Sequence, residues 1–130
     1  MTVLASLVLF SRAPAPTVAF YRALGIDLVD EQHGDGAVHH AAELDGVHIA
    51  VLDASQQPSA VPGFRQAGTV FPGFWVDDLD TTAAALRALG ASTVVDHQVR
   101  EWGCRIVIAD PDGRAVEINQ RGHCAGEQGS

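Results

Sequence analysis

The sequence predicts an α+β protein built as two tandem strand-helix-three-strand (βαβββ) modules, and three observations predict it. First, 130 residues with a 47% hydrophobic composition suffice for one domain with a core, or for two small modules that share one. Second, AFYRALGIDLV at 19–29 and AALRALGASTVV at 84–95 are amphipathic runs that end in the same Arg-Ala-Leu-Gly, 65 residues apart from Gly25 to Gly90. A glycine there can take the left-handed conformation that closes a helix. Third, ELDGVHIAVL at 43–52 and DPDGRAVEIN at 110–119 each open a strand from Asp-Gly, at an offset of 67. Such self-similarity is the mark of a duplicated supersecondary unit.

The elements follow in order. Residues 1–53 form the first module. An apolar run predicts a strand over 3–10, and prolines 14 and 16 open a helix over about 14–24 that Gly25 ends. Strands follow over 26–31, 37–44 and 47–53, the last two joined by Asp45-Gly46 as a two-residue hairpin turn. The segment ASQQPSAVPGFRQAG, with two prolines and no period, makes 54–68 a linker. Residues 69–121 repeat the pattern. A strand over 69–76 leads to a helix over about 79–89 capped by Asp78, then strands over 92–97, 104–110 and 114–120. The last residues, 122–130, are expected to be a disordered tail.

Charge narrows the partners. Sixteen acids against eight Lys and Arg give a net charge of −8, which excludes nucleic acid and anionic membrane surfaces and favours, if anything, a cationic small molecule. The first residues lack the basic start of a secretion signal, and the apolar run is too short to span a bilayer, so a cytoplasmic protein is expected. Cys104 and Cys124 form no Cys-x-x-Cys pair, and nothing in the sequence requires a disulfide.

Strand alternation sorts the faces. Around Asp45-Gly46, Leu44, Val47, Ile49 and Val51 share a wholly apolar side that should pack on a helix; Glu43, His48, Ala50 and Leu52 share the other. The last strand splits likewise, with Val116 and Ile118 toward the helix and Ala115, Glu117 and Asn119 away from it. On the first strand of each module the matching open side holds Ser6, Val8 and Phe10, and Phe71, Gly73 and Trp75.

The motifs FYRALG, WVDDLDTTAAALRALGA and EWGCRIVIADPDGRAVEINQ, in that order on an internal repeat, resemble the vicinal oxygen chelate superfamily. That group contains glyoxalase I, extradiol dioxygenases, and fosfomycin- and bleomycin-resistance proteins. The resemblance covers about residues 3–120. It implies that the two modules curl their sheets into one cup, usually as a homodimer, and that metal-dependent members take ligands from the first and last strand of each module. Glu117 stands at one such position. Projection through the repeat puts the other three at Ser6, Ala50 and Phe71, which leaves Glu117 without co-ligands, whereas a catalytic metal normally takes about three protein ligands.

No cofactor is therefore expected, and the resemblance points to the metal-free bleomycin-resistance type, a protein that sequesters an aromatic or cationic small molecule. Glu117 would supply charge or a hydrogen bond. Phe71, Trp75 and Trp102 would stack on the ligand beside Phe10, and Ser6, His39, His48 and Asn119 would line or orient. Glu117 has a structural alternative as well, bonded to Asn119 or Arg105. The alternative function is a lyase, isomerase or dioxygenase that uses Glu117 as general base or a divalent metal on His39, His48 and Glu117. A third is a regulatory or immunity domain that holds a metabolite for a partner. His33, His40, His97 and His123 read as surface or loop residues, and Cys104 as a small hydrophobe.

Overall fold

The structure, a computed structural model, describes residues 4–56 and 70–124. In chain order the first module comprises β1 (Ser6–Ser11), α1 (Pro14–Leu24), β2 (Val29–Glu31), β3 (His39–Leu44) and β4 (Val47–Asp53). A single 3₁₀ turn, Ala54–Gln56, follows, and residues 57–68 of the expected linker lie outside the described residues. The second module comprises β5 (Gly73–Trp75), α2 (Leu79–Ala88), β6 (Thr93–Arg100), β7 (Gly103–Ala109) and β8 (Ala115–Arg121). The chain is thus α+β, two βαβββ modules, each a mixed four-stranded sheet ordered β1-β4-β3-β2 or β5-β8-β7-β6. In each, the first strand runs parallel to the last, and the other pairs are antiparallel.

Local chemistry accounts for the boundaries. Pro14 opens α1 at a position whose N–H has no partner in any helix, and Gly25 closes it at φ 112° with its N–H donated to Arg22 O at 3.0 Å. Asp78 caps α2 by accepting from Thr81 N at 3.0 Å. Asp45 and Gly46 both take positive φ, 51° and 83°, as the tight hairpin demands. Two strands are shorter than their apolar runs. Ile26 N–H is spent on Tyr21 O, closing the helix, so β2 begins only at Val29 while Ile26 and Leu28 enter the core. Pro72 likewise stands just outside β5, leaving Phe71 beyond the strand.

Both modules feed one buried cluster. Leu9, Phe20, Tyr21, Leu24, Ile49 and Val51 of the first meet Leu79, Leu86, Ile106, Ile108, Val116 and Ile118 of the second. Side chains of this size contribute about 1.5–3 kcal/mol each when fully buried. Helix α1 packs on α2, and the ring of Tyr21 meets Phe74 edge-on with centroids 6.3 Å apart.

The Asp-Pro-Asp-Gly turn between β7 and β8 latches the modules together. Asp110, 4% exposed, accepts from Tyr21 Oη at 2.7 Å, from Asp112 N and Arg114 N at 2.9 Å each, and from Arg114 Nη1 at 2.8 Å. Asp112 accepts from Thr17 Oγ1 at 2.7 Å and from Arg12 N at 2.9 Å, while Arg114 Nη2 donates to Phe10 O. Burial, then the Asp110 charge, pushes the Tyr21 phenol far above its ordinary range, so it stays a donor. Burial alone would raise the Asp112 carboxyl, but hydrogen bonds from Ser11, Thr17 and the Arg12 amide outweigh it and hold the group below the usual carboxylate range.

The two sheets remain separate and unclosed within the chain, and the modules meet through their helix-covered sides and the turn just described. Two expectations need correction. Cys104 and Cys124, 20 residues apart, form a disulfide, which neither their spacing nor the absence of a Cys-x-x-Cys motif revealed. Residues 122–124 of the expected disordered tail are consequently fixed, Cys124 being buried, and 125–130 lie outside the described residues. Among the described residues no helix is long and apolar enough to cross a membrane.

Candidate functional site

Alternation along β5 and β8 turns one side chain in two toward α2 and the rest away. The pairing Gly73 to Glu117, Trp75 to Asn119 and Arg105 to Asn119 sets Trp75, Glu117, Asn119 and Arg105 side by side on the open face. Arg121, two residues beyond Asn119, joins them, and Trp102 reaches in from the turn between β6 and β7. Together Trp75, Trp102, Glu117, Asn119 and Arg121 line a cleft of about 450 Å³.

The two indoles meet edge to face, centroids 5.4 Å apart at 85°, and remain 50% and 43% exposed. Arg121 stacks its guanidinium over Trp75, 3.9 Å from the ring centroid, a cation–π contact. Glu117 is not solitary. Its Oε2 lies 2.9 Å from Arg105 Nη1, and its Oε1 accepts from Asn119 Nδ2 at 2.9 Å. Gly73 makes room for this: a Cβ there would stand 3.1 Å from Glu117 Oε1. With its amide nitrogen committed to Glu117, Asn119 keeps a buried Oδ1 that has no partner among the described residues. The wall therefore offers two aromatic rings and the Arg121 cation, while Glu117 and Arg105 neutralise each other.

Phe71 and Phe10 lie elsewhere. They border a hollow of about 830 Å³ with Arg12, Asp112, Arg114 and Ala115, at the junction of the modules. Phe71 precedes Gly73 and Ala115 precedes Glu117 by two residues, so the hollow continues the same face along β5 and β8.

The remaining candidates lie on the first sheet. Ser6 pairs with His48, and Ala50 with Val8 and Ala41, on the face away from α1. His39 and His48 share that face as alternation predicts, yet they converge on Glu31 and not on Glu117. Glu31 Oε1 lies 2.9 Å from Nε2 of both His39 and His33, and 3.7 Å from His48 Nε2. His48 Nδ1 lies 2.7 Å from Glu43 Oε1. The hydrogen bond from His39, foremost, holds the Glu31 carboxyl below its usual range. Sequence reasoning missed Glu31, His33 and Arg121. Extending the alternation by one step would have found Arg121 beyond Asn119 and Glu31 opposite His39; His33, in a loop, leaves no such signal.

Of the four projected positions, Ser6, Ala50, Phe71 and Glu117, Glu117 alone carries a carboxylate. Glu117 is held by Arg105, and the groups across from it and from Ala50 are Gly73 and Val8.

The family model described as Glyoxalase/Bleomycin resistance protein/Dioxygenase superfamily matches residues 3–118. Among solved structures, the chain is similar to TnmS3, an antibiotic binding protein from Streptomyces sp. CB03234, at 20% identity over 94% of this chain and 98% of that one, with a TM-score of 0.64. It is similar to TioX from Micromonospora sp. ML1, at 21% identity over 93% and 100%, TM-score 0.65. It is similar as well to a lactoylglutathione lyase from Agrobacterium tumefaciens, at 18% identity over 92% and 94%, TM-score 0.61. At these identities the likeness shows the fold. Among curated proteins none matches the chain significantly.

Proposed function

We propose that this chain, which belongs to the Glyoxalase/Bleomycin resistance protein/Dioxygenase superfamily, binds and sequesters a planar aromatic small molecule in the Trp75–Trp102 cleft without the help of a metal ion. The observation that carries this reading is the pair of half-exposed indoles set at right angles with Arg121 stacked beside them. Exposed indole faces are costly to leave in water and offer a flat ligand two contact surfaces. That a similar structure belongs to an antibiotic binding protein accords with a ligand of this kind.

Charge refines the ligand class. With Glu117 paired to Arg105, the unmatched charge at the cleft is Arg121, so a neutral or acidic aromatic is favoured there over a cation. A cation would have to displace Arg105 from Glu117. The enzymatic alternative asks Glu117 to act as general base, but both its oxygens are engaged.

The cup is completed, in this reading, by a second copy of the chain. Each sheet leaves one face uncovered, with Val8, Val29, Phe71 and Trp75 at least 40% exposed, and β1 and β5 are edge strands with open backbone groups. A homodimer that sets one chain's first sheet against the other's second would cover both. Light scattering should then give twice 13.7 kDa.

The test is tryptophan fluorescence on chelator-treated protein, titrated with naphthoate, naphthol and methylquinolinium. Saturable quenching by the first two, unchanged by added chelator, is expected. Quenching by none of them, or only when divalent metal is restored, would overturn the reading.

A further inference from the structure

The histidines of the first sheet are not used by the aromatic cleft, and their geometry asks for a ligand of its own. We propose that Glu31, His33 and His39, completed by His48, form a binding site for a divalent transition ion of the zinc class. Glu31 Oε1 and one ring nitrogen each of His33 and His39 lie within 4.8 Å of one another. A tetrahedral zinc ion with bonds of about 2.0–2.1 Å holds its ligand atoms about 3.3 Å apart. Both imidazole nitrogens stand 2.9 Å from the Glu31 oxygen, so each of these two distances must open by about 0.4 Å to admit an ion.

His48 supplies a second, independent indication. Its Nδ1 lies 2.7 Å from Glu43 Oε1, the contact made by the neutral tautomer that carries its proton on Nδ1. That leaves the Nε2 lone pair facing Glu31 Oε1 at 3.7 Å, one acceptor opposite another. A cation between them relieves this opposition, and a carboxylate behind a metal-binding histidine is the usual support for such a ligand. Three imidazoles with one carboxylate suit zinc, copper or nickel, whereas magnesium and calcium prefer oxygen throughout. His33, whose side chain is 77% exposed, leaves the site open to an ion arriving from solvent.

The ligands come from β2, the loop after it, β3 and β4. None is one of the projected positions Ser6, Ala50, Phe71 and Glu117, and within one chain none lines the Trp75–Trp102 cleft. The ion would fasten the outer strands of the first sheet to its centre and stabilise the folded chain in proportion to the logarithm of its concentration.

The experiment is calorimetric titration of zinc chloride into the full-length, tag-free, chelator-treated chain at neutral pH. One zinc per chain is expected, with no heat from magnesium chloride. His33→Ala and His39→Ala should each weaken uptake by about tenfold or more, while His97→Ala and Glu117→Gln leave it unchanged. His33 is exposed enough that its replacement should spare the fold, which a matching zinc-free melting curve verifies. Absence of saturable one-to-one uptake would overturn the proposal, as would wild-type uptake by the His33 and His39 variants. Naphthoate quenching is measured on the same His33→Ala protein. Its persistence there assigns a loss of zinc to this site alone and leaves the aromatic cleft to its own test.

Discussion

Replacing Tyr21 with Phe removes one of the hydrogen bonds that tie the two modules. Asp110 accepts four hydrogen bonds, three of them from its own turn and one, at 2.7 Å, from Tyr21 Oη. Tyr21→Phe deletes only the last and leaves the ring, which is fully buried, in place. A hydrogen bond to a charged acceptor contributes about 1.5–3 kcal/mol, and Asp110 keeps its other donors, so a loss of about 2 kcal/mol is expected. For a chain of this length that lowers the melting temperature by about 6–10 °C. Asp110→Ala should cost more, about 3–5 kcal/mol, because it strands the Arg114 guanidinium, 15% exposed, and two amides. Urea unfolding followed by circular dichroism measures both. A Tyr21→Phe protein within about 0.5 kcal/mol of wild type, or an Asp110→Ala protein milder than it, would refute the latch.

Three further outcomes follow from the same geometry. The folded-state carboxyl of Asp112 titrates below its unfolded value of about 3.9, so its contribution is complete above that pH and lost as pH falls through the folded value. Asp112→Asn should flatten the acid limb of a urea-midpoint profile, and parallel limbs would contradict this. Glu117→Gln should cost about 1 kcal/mol of stability, since its pair with Arg105 is about a quarter exposed, and should weaken aromatic ligands less than loss of Trp75 does. Cys124→Ser opens a 20-residue link and should cost about 3 kcal/mol. Reductant should lower the wild-type melting temperature to that of the variant and leave the variant unmoved.

Much of the fold was legible because its signals are local. The 14–24 helix, the Asp45-Gly46 turn, the Asp78 cap and the split of Leu44, Val47, Ile49 and Val51 from Glu43, His48, Ala50 and Leu52 all follow from periods of two or 3.6 and from single-residue backbone preferences. Interactions across a hundred residues were not legible. The resemblance connected the Asp-Pro-Asp-Gly turn to metal enzymes, yet its aspartates hold Tyr21, Thr17 and Arg12 of the other module. Alternation aimed Glu117, Asn119 and Trp75 onto one face and left Glu117 either a ligand group or a partner of Asn119 or Arg105; the packing of β7 on β8 sets Arg105 against it. Alternation placed His39 and His48 on one face, but not the acid they approach there. Glu31 sits on a strand cut short by the helix closure at Ile26, and His33 folds back from a loop that carries no period.

The central claim is that Trp75 and Trp102 bind a flat aromatic ligand without metal. Calorimetric titration of naphthoate into chelator-treated wild type and Trp75→Ala, the latter shown by light scattering to keep the wild-type mass, tests it most directly. The account predicts saturable binding to wild type in the presence of chelator and a loss of about 1.5–2.5 kcal/mol, roughly ten- to seventyfold in affinity, for the variant. Equal affinity in the two proteins, or binding that appears only with added divalent metal, would contradict it.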